Sequence, residues 1–281
     1  MNKFYIGCHL SIAKGFEEAA NNAVSIGANT FQFFTRNPRG GAAKALDQHD
    51  LLAYHAIAQE HQFGPILAHA PYTMNLSSDK EEVRTFALSI LQDDYERVKQ
   101  IENARYLFHP GSHVGLGVER GTEFIIKALN TVLTGPEGPW VLLEGMTGKG
   151  SEIGSTFEEL KHIIQGVRHS ERLGICIDTC HLHAAGYDIV TRLGEVFDQM
   201  DRVVGLNKIK GVHVNDNMNP FESHKDRHAV LGEGSIGLEA IVRFIQHPAL
   251  SGLPFNLETP NELEGYQKEI QLLRSKLTIN P

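Results

Sequence analysis

The sequence predicts one α/β domain, spanning residues 1–281 and closed into a (β/α)8 TIM barrel, and three observations carry that reading. Eight short apolar runs recur along the chain, each rich in β-formers or leucine and bounded by turn residues, as strands buried on both faces are. A segment of helical pattern follows every run, which implies parallel βαβ units. No glycine fingerprint follows the first run, as it usually would in a doubly wound open sheet, and eight units in a chain of this length suit a barrel.

"FYIGCH" ends at His9 and is followed by the helical "KGFEEAANNAVSIG". "NTFQFFT" ends near Thr35, and beyond a basic, glycine-bearing loop at 36–47 comes "LDQHDLLAYHAIAQEH". "GPILAH" ends at His69 and leads to "DKEEVRTFALSILQDDYERVKQIEN"; "ARYLFH" ends at His109 and leads to "VERGTEFIIKALNTVLTG". "PWVLLE" ends at Glu144, and its helix "STFEELKHIIQGV" opens with Ser155 and Glu158 at the spacing of a capping box. "LGICID" ends at Asp178 before "TRLGEVFDQMDRVVG"; "IKGVHVND" carries His213 and Asp216 before "GLEAIVRFIQHP". "LPFNLE" ends at Glu258 and "NELEGYQKEIQLLRSKL" closes the chain.

Composition narrows the class. Hydrophobic residues are 41% and charged residues 21%, a globular balance. No apolar run is long enough to span a membrane, and the start "MNKFYIGCHL" lacks the apolar core and cleavage site of a signal peptide. Cys8, Cys176 and Cys180 are odd in number and form no C-x-x-C pair, so a disulfide framework is not expected and a cytoplasmic location is. The formal net charge of −8 argues against nucleic acid as a partner unless the acids surround metal ions, which reverse the local field.

The fifteen histidines are the anomaly. His49, His55, His61, His162, His169 and His247 lie in polar, helix-like surroundings and are expected on the surface. His69, His109, Glu144, Asp178, His213 and Glu258 instead fall where six of the runs stop. A barrel gathers strand ends at one rim, where barrel enzymes keep their sites. Imidazole nitrogens and carboxylate oxygens are the ligands that Zn²⁺, Mn²⁺ or Fe²⁺ take from proteins. Asp178 and His181 are three apart at a strand end, and Asp226 and His228 are two apart in a loop, on one side if it is extended. Nine candidate ligands exceed the needs of one ion and suit three. Four carboxylates against three divalent ions leave about two net positive charges, fit for a phosphate oxyanion. His183 and His224 are weaker candidates; Asp216 and His224 are expected beside the ligands or facing a substrate.

The stretches "GCHLSIAKG", "FFTRNPRG", "LAHAPYTMNL", "FHPGSH", "CIDTCHLHAAGYDI", "GVHVNDN", "DRHAVLGEGSIG" and "NLETP" together resemble the endonuclease IV family of apurinic/apyrimidinic (AP) endonucleases over nearly the whole length. The resemblance implies a TIM barrel with three zinc ions that cleaves double-stranded DNA 5′ to an abasic residue, as a monomer. It implies one zinc on His69, His109 and Glu144; a second on the bridging Glu144 with Asp178, His213 and Glu258; and a third on His181, Asp226 and His228. Glu258 and Glu144 are then the catalytic carboxylates, Glu258 orienting or deprotonating the nucleophile. Arg39 and Tyr72 match residues that enter the duplex. Lys14, Arg36, Lys149 and Arg227, and the loop Gly148–Gly154, are candidates to meet phosphates. The chain departs from the family pattern at "EGMTG", where Gly145 stands beside Glu144, at Gly40 and Gly41 after the loop arginine, and at Thr73. The rival readings are a metal-dependent sugar isomerase or epimerase of the xylose-isomerase-like barrels and a non-catalytic metal- or DNA-binding barrel.

Overall fold

The computed structural model describes residues 4–39 and 43–277. In chain order the elements are β1 (Tyr5–Cys8), α1 (Phe16–Ser25), β2 (Gln32–Phe34), α2 (Gln48–Glu60), β3 (Ile66–His69), α3 (Glu81–Val98), β4 (Ala104–Phe108), α4 (Val118–Val132), β5 (Val141–Glu144) and α5 (Phe157–Gly166). They continue with β6 (Leu173–Asp178), α6 (Thr179–Ala184), α7 (Leu193–Val203), β7 (Ile209–His213), β8 (Asp216–Asn217), β9 (His228–Ala229), α8 (Leu238–Ile245), β10 (Pro254–Leu257) and α9 (Leu263–Leu277).

All eight apolar runs become parallel strands of one sheet, in the order β1-β10-β7-β6-β5-β4-β3-β2. The seam between β1 and β2 is joined by a parallel bridge, His9 to Gln32, and by the Leu10 N–H donating to Gln32 O at 2.8 Å. The barrel is thereby nearly closed. Inside it Leu67, Leu107, Leu142 and Cys176 form a small apolar cluster, while the larger core lies between the strands and the surrounding helices. That division explains why the strands read as unbroken apolar runs: both faces are buried. No helix among the described residues is long and apolar enough to cross a membrane.

Two local expectations are corrected. The cap of α5 is Thr156, not Ser155: its side chain accepts from the Glu159 N–H, and Glu159 Oε2 reaches back to the N–H groups of Gly154 and Ser155. The capping pair therefore sits one residue later than the Ser155–Glu158 spacing suggests, because Gly154 already turns the chain with φ 97°. The segment after Asp178 is a short helix, α6, rather than an open strand end. Asp178 caps it, its Oδ1 accepting from the N–H groups of Cys180 (2.6 Å) and His181 (3.1 Å).

Candidate metal centre

Strand ends supply most of the site. His69, Glu144, Asp178 and His213 are the last residues of β3, β5, β6 and β7, and His109 and Glu258 follow β4 and β10 directly. Register brings Asp178 and His213 side by side on neighbouring strands. The capping of α6 turns His181 over the same rim. The chain after β7 folds back as the antiparallel pair β8–β9, which carries His228 toward Asp178.

The side chains meet in three groups. Glu144 Oε2 lies 3.3 Å from His69 Nε2 and 3.2 Å from His109 Nε2. The other oxygen, Oε1, lies 3.0 Å from His213 Nδ1, which is also 3.3 Å from Glu258 Oε2 and 3.7 Å from Asp178 Oδ2. Asp226 Oδ1 lies 3.5 Å from His181 Nε2 and 3.2 Å from His228 Nε2, and Asp178 Oδ2 is 3.8 Å from the latter. Within each of the sets His69–His109–Glu144, Glu144–Asp178–His213–Glu258 and Asp178–His181–His228, potential ligand atoms lie within 4.8 Å of one another. Cys180 lies equally near Asp226 and His228, but burial, followed by the charge of Asp178, pushes its thiol far up, so it stays protonated.

Two features fit this arrangement to cations. First, Glu144 Oε2, His181 Nε2 and His228 Nε2 are buried and make no hydrogen bond, a costly state that bound cations would relieve. Second, backbone carbonyls hold the opposite ring nitrogens: His69 Nδ1 lies 2.6 Å from Ala70 O, His181 Nδ1 2.9 Å from Gly145 O, and His228 Nδ1 3.1 Å from Glu258 O. Each carbonyl can only accept, so each Nδ1 carries a proton, and a neutral ring then presents its Nε2 lone pair to the centre. Gly145 thus supports His181 through its carbonyl, and its missing side chain removes nothing from that contact.

Without cations the charges compensate one another. Burial opposes ionisation of Glu144, but His213 and His109 outweigh it and hold the carboxyl well below its usual range. Burial likewise disfavours charge on His181, yet Asp178, Asp226 and Glu144 raise it well above an ordinary histidine. His228 reaches about 9, where Asp226, Asp178 and Glu258 overcome its desolvation. His9, at the edge of the group, is pushed down to about 4 by burial, against Glu258 and with help from His69 and His213. Ions entering this centre must displace protons from several imidazoles.

Tyr72 and Arg39 are exposed, and Tyr72 stands against the histidines of this centre. The Tyr72 ring centroid is 5.8 Å from that of His69 and 5.6 Å from that of His109. Its N–H donates to Pro38 O at 3.1 Å, which ties its loop to the one bearing Arg39. Beside them a cleft of about 1040 Å³ is lined by His9, Phe34, Asn37, Tyr72 and Glu258, among others. Gly40 and Gly41 lie outside the described residues.

Other candidates have different places. Arg36 is not a free phosphate contact: its side chain is 6% exposed and pairs with Asp93 and Asp94. Lys14, Lys149 and Arg227 are exposed. In the Gly148–Gly154 loop, Glu152 Oε2 accepts from Thr147 Oγ1 and the Lys149 N–H, so a carboxylate already occupies donors a phosphate would need. Asp216 is fully buried and faces no solvent; it accepts from the N–H groups of Gly232, Gly234, Ile236 and Gly237 and so anchors the "LGEGSIG" loop. His183 bonds Ser235 Oγ and His224 bonds Thr147 O, both outside the ligand groups. Two residues at the centre were not singled out from the sequence. Asn215 donates to Asp178 Oδ2 (2.7 Å) and accepts from the Glu258 N–H (2.9 Å). Gln32 contacts both His213 and Glu258; its signal was a lone amide in the apolar run "FQFF".

Strand-end imidazoles and carboxylates on a parallel barrel define a xylose isomerase-like TIM-barrel protein, and the sequence profile of that family matches residues 20–276. A probable endonuclease 4 of Clostridium beijerinckii is 56% identical over 270 residues, covering 96% of this chain and 98% of the relative. One from Geobacillus sp. is 42% identical, covering 97% and 95%. The crystal structure of endonuclease IV from Thermus thermophilus superposes with a TM-score of 0.88 at 34% identity, covering 98% of this chain and 99% of that one. The 3-keto-D-glucoside 4-epimerase of E. coli, at a TM-score of 0.68 and 13% identity, shares the barrel alone. The chain belongs to the endonuclease IV family and is a nuclease, a hydrolase.

Proposed function

We propose that the protein is a zinc-dependent AP endonuclease of DNA base-excision repair. It hydrolyses the phosphodiester 5′ to an abasic site in double-stranded DNA, leaving a 3′-hydroxyl and a 5′-deoxyribose phosphate, and also removes 3′ blocking groups. The observation that carries this reading is the convergence of nine His, Asp and Glu side chains on one rim, in groups that share Glu144 and Asp178. The groups suit three Zn²⁺, with Mn²⁺ or Fe²⁺ able to take some positions. His69, His109 and Glu144 would hold the first, Glu144, Asp178, His213 and Glu258 the second, and His181, Asp226 and His228 the third. Divalent ions bound there would lower the pKa of a bound water and offset charge on the phosphate oxygens.

The chain's own groups do the rest. Glu258 borders the cleft, its side chain 14% exposed, and accepts a hydrogen bond from the attacking water, orienting it. Glu144, buried beneath, keeps one oxygen toward each of two ligand groups and so fixes their separation. Tyr72 and Arg39 stand where a flipped-out abasic sugar leaves a gap in the duplex, and the missing base lowers the cost of that extrusion. The enzyme works as a cytoplasmic monomer.

The experiment is incision of a duplex carrying one abasic analogue. Metal-loaded protein should cut 5′ to the lesion, and EDTA or His228→Ala should abolish the cut. An intact duplex, with isomerisation of a sugar instead, would favour the xylose-isomerase-like alternative and refute this reading.

A further inference from the structure

Strand β2 places one amide among aromatic side chains. Gln32 is fully buried and lies behind the centre, on the seam that closes the barrel. Its Nε2 donates to Glu258 Oε1 at 2.6 Å and lies 3.1 Å from His9 Nδ1; its Oε1 lies 2.6 Å from His213 Nε2. A carboxylate oxygen only accepts, so the contact with Glu258 identifies the amide nitrogen, and the oxygen must face His213. His213 Nε2 therefore carries the proton, and Nδ1 is left to face Glu144, Glu258 and Asp178.

This reverses the arrangement at His69, His181 and His228, where a backbone carbonyl takes Nδ1 and Nε2 faces inward. His213 presents the opposite nitrogen, and a side-chain amide does the holding. The same amide draws Glu258 Oε1 back toward β2 and leaves Oε2 beside His213 Nδ1. Only a group with both donors and an acceptor serves both neighbours and His9; an aliphatic chain serves none.

We propose that Gln32 is a positioning residue for the metal position framed by Glu144, Asp178, His213 and Glu258, fixing the His213 tautomer and the Glu258 carboxylate through one amide. The proposal rests on the metal-dependent reading above. It predicts that Gln32 sets how tightly that one position holds its ion, leaving the other two groups unaffected.

The test compares wild-type protein with Gln32→Leu and Gln32→Met, the latter keeping length and flexibility should the branched chain not fit. Each is loaded with zinc, dialysed against a chelator buffer of fixed free zinc, and its ions counted by plasma mass spectrometry. Both variants should retain about one ion fewer and bind that ion about 10- to 100-fold more weakly. Melting of the metal-free forms should stay within a few degrees of wild type, and raising free zinc should restore incision. Equal retention by wild type and a folded variant would overturn the role of Gln32 alone, as would loss of all ions together. Wild-type protein that holds no ion would overturn the metal reading and this proposal with it.

Discussion

The two strand-carried groups of candidate ligands and the loop-carried one are built differently. His69, Glu144, Asp178 and His213 are at most 2% exposed and sit on the last residues of hydrogen-bonded strands. Asp226 is 41% exposed in its side chain and lies in an irregular loop; His228 sits on a two-residue strand. The first groups inherit their geometry from the barrel. The third depends on Asp216, which gathers four N–H groups of the following loop, and on the Glu258 carbonyl that orients His228. One centre thus combines a rigid half with a half that reaches the rim on a loop anchored by one buried carboxylate.

Substitutions can separate the halves. The largest effect is expected from Glu144→Gln, which weakens both strand-carried groups. A metal's transition-state contribution of several kcal/mol translates to a loss of about 1000-fold or more in incision rate, with ion content falling by more than one per chain. Asp216→Ala should break the loop-carried half alone. Leaving buried N–H donors without an acceptor costs about 1–3 kcal/mol, so the metal-free protein should melt about 5 °C lower. Ion counting should then find the two strand-carried positions still filled; if all three empty together, the halves are not independent.

A pH titration sharpens the contrast. His228 is raised to about 9 in the folded, metal-free protein, against about 6.5 when unfolded. Its charged form therefore stabilises the fold fully below about pH 6.5, and that contribution disappears as pH rises through about 9. Zinc affinity should move the opposite way, rising across the same window as the competing proton leaves. Calorimetric melting of the metal-free protein and zinc titration, both from about pH 6 to about 9.5, would show the two trends crossing; parallel trends would contradict the charge pairing described. The smallest effect is expected at Gly145→Ala. An added Cβ would meet only Cys176 O at 3.8 Å, and the carbonyl that holds His181 stays, so melting and incision should remain at wild-type values.

Barrel strands announce themselves because burial on both faces makes apolar runs, and a polar residue that ends such a run stands out. This is why His69, His109, Glu144, Asp178, His213 and Glu258 were legible one by one. Less legible was what lies behind them. Gln32 occupies the middle of an apolar run and gives no sign of which strand end it faces. Asp216 looks like the candidate ligands near it in sequence, yet its carboxylate turns into the fold, where it accepts from the N–H groups of the glycine-rich loop. Arg36 reads as a phosphate contact until Asp93 and Asp94, on a helix far along the chain, are brought against it. These roles depend on tertiary neighbours that spacing along the chain does not encode. The helix α6 was missed for a different reason: six residues are too few to show a period.

The most direct measurement is anomalous X-ray scattering at the zinc absorption edge from metal-loaded crystals. Three peaks are expected, one among His69, His109 and Glu144, one among Glu144, Asp178, His213 and Glu258, and one among His181, Asp226 and His228. Peaks confined to the strand-carried groups, with the Asp226–His228 group empty at saturating zinc, would contradict a three-ion centre.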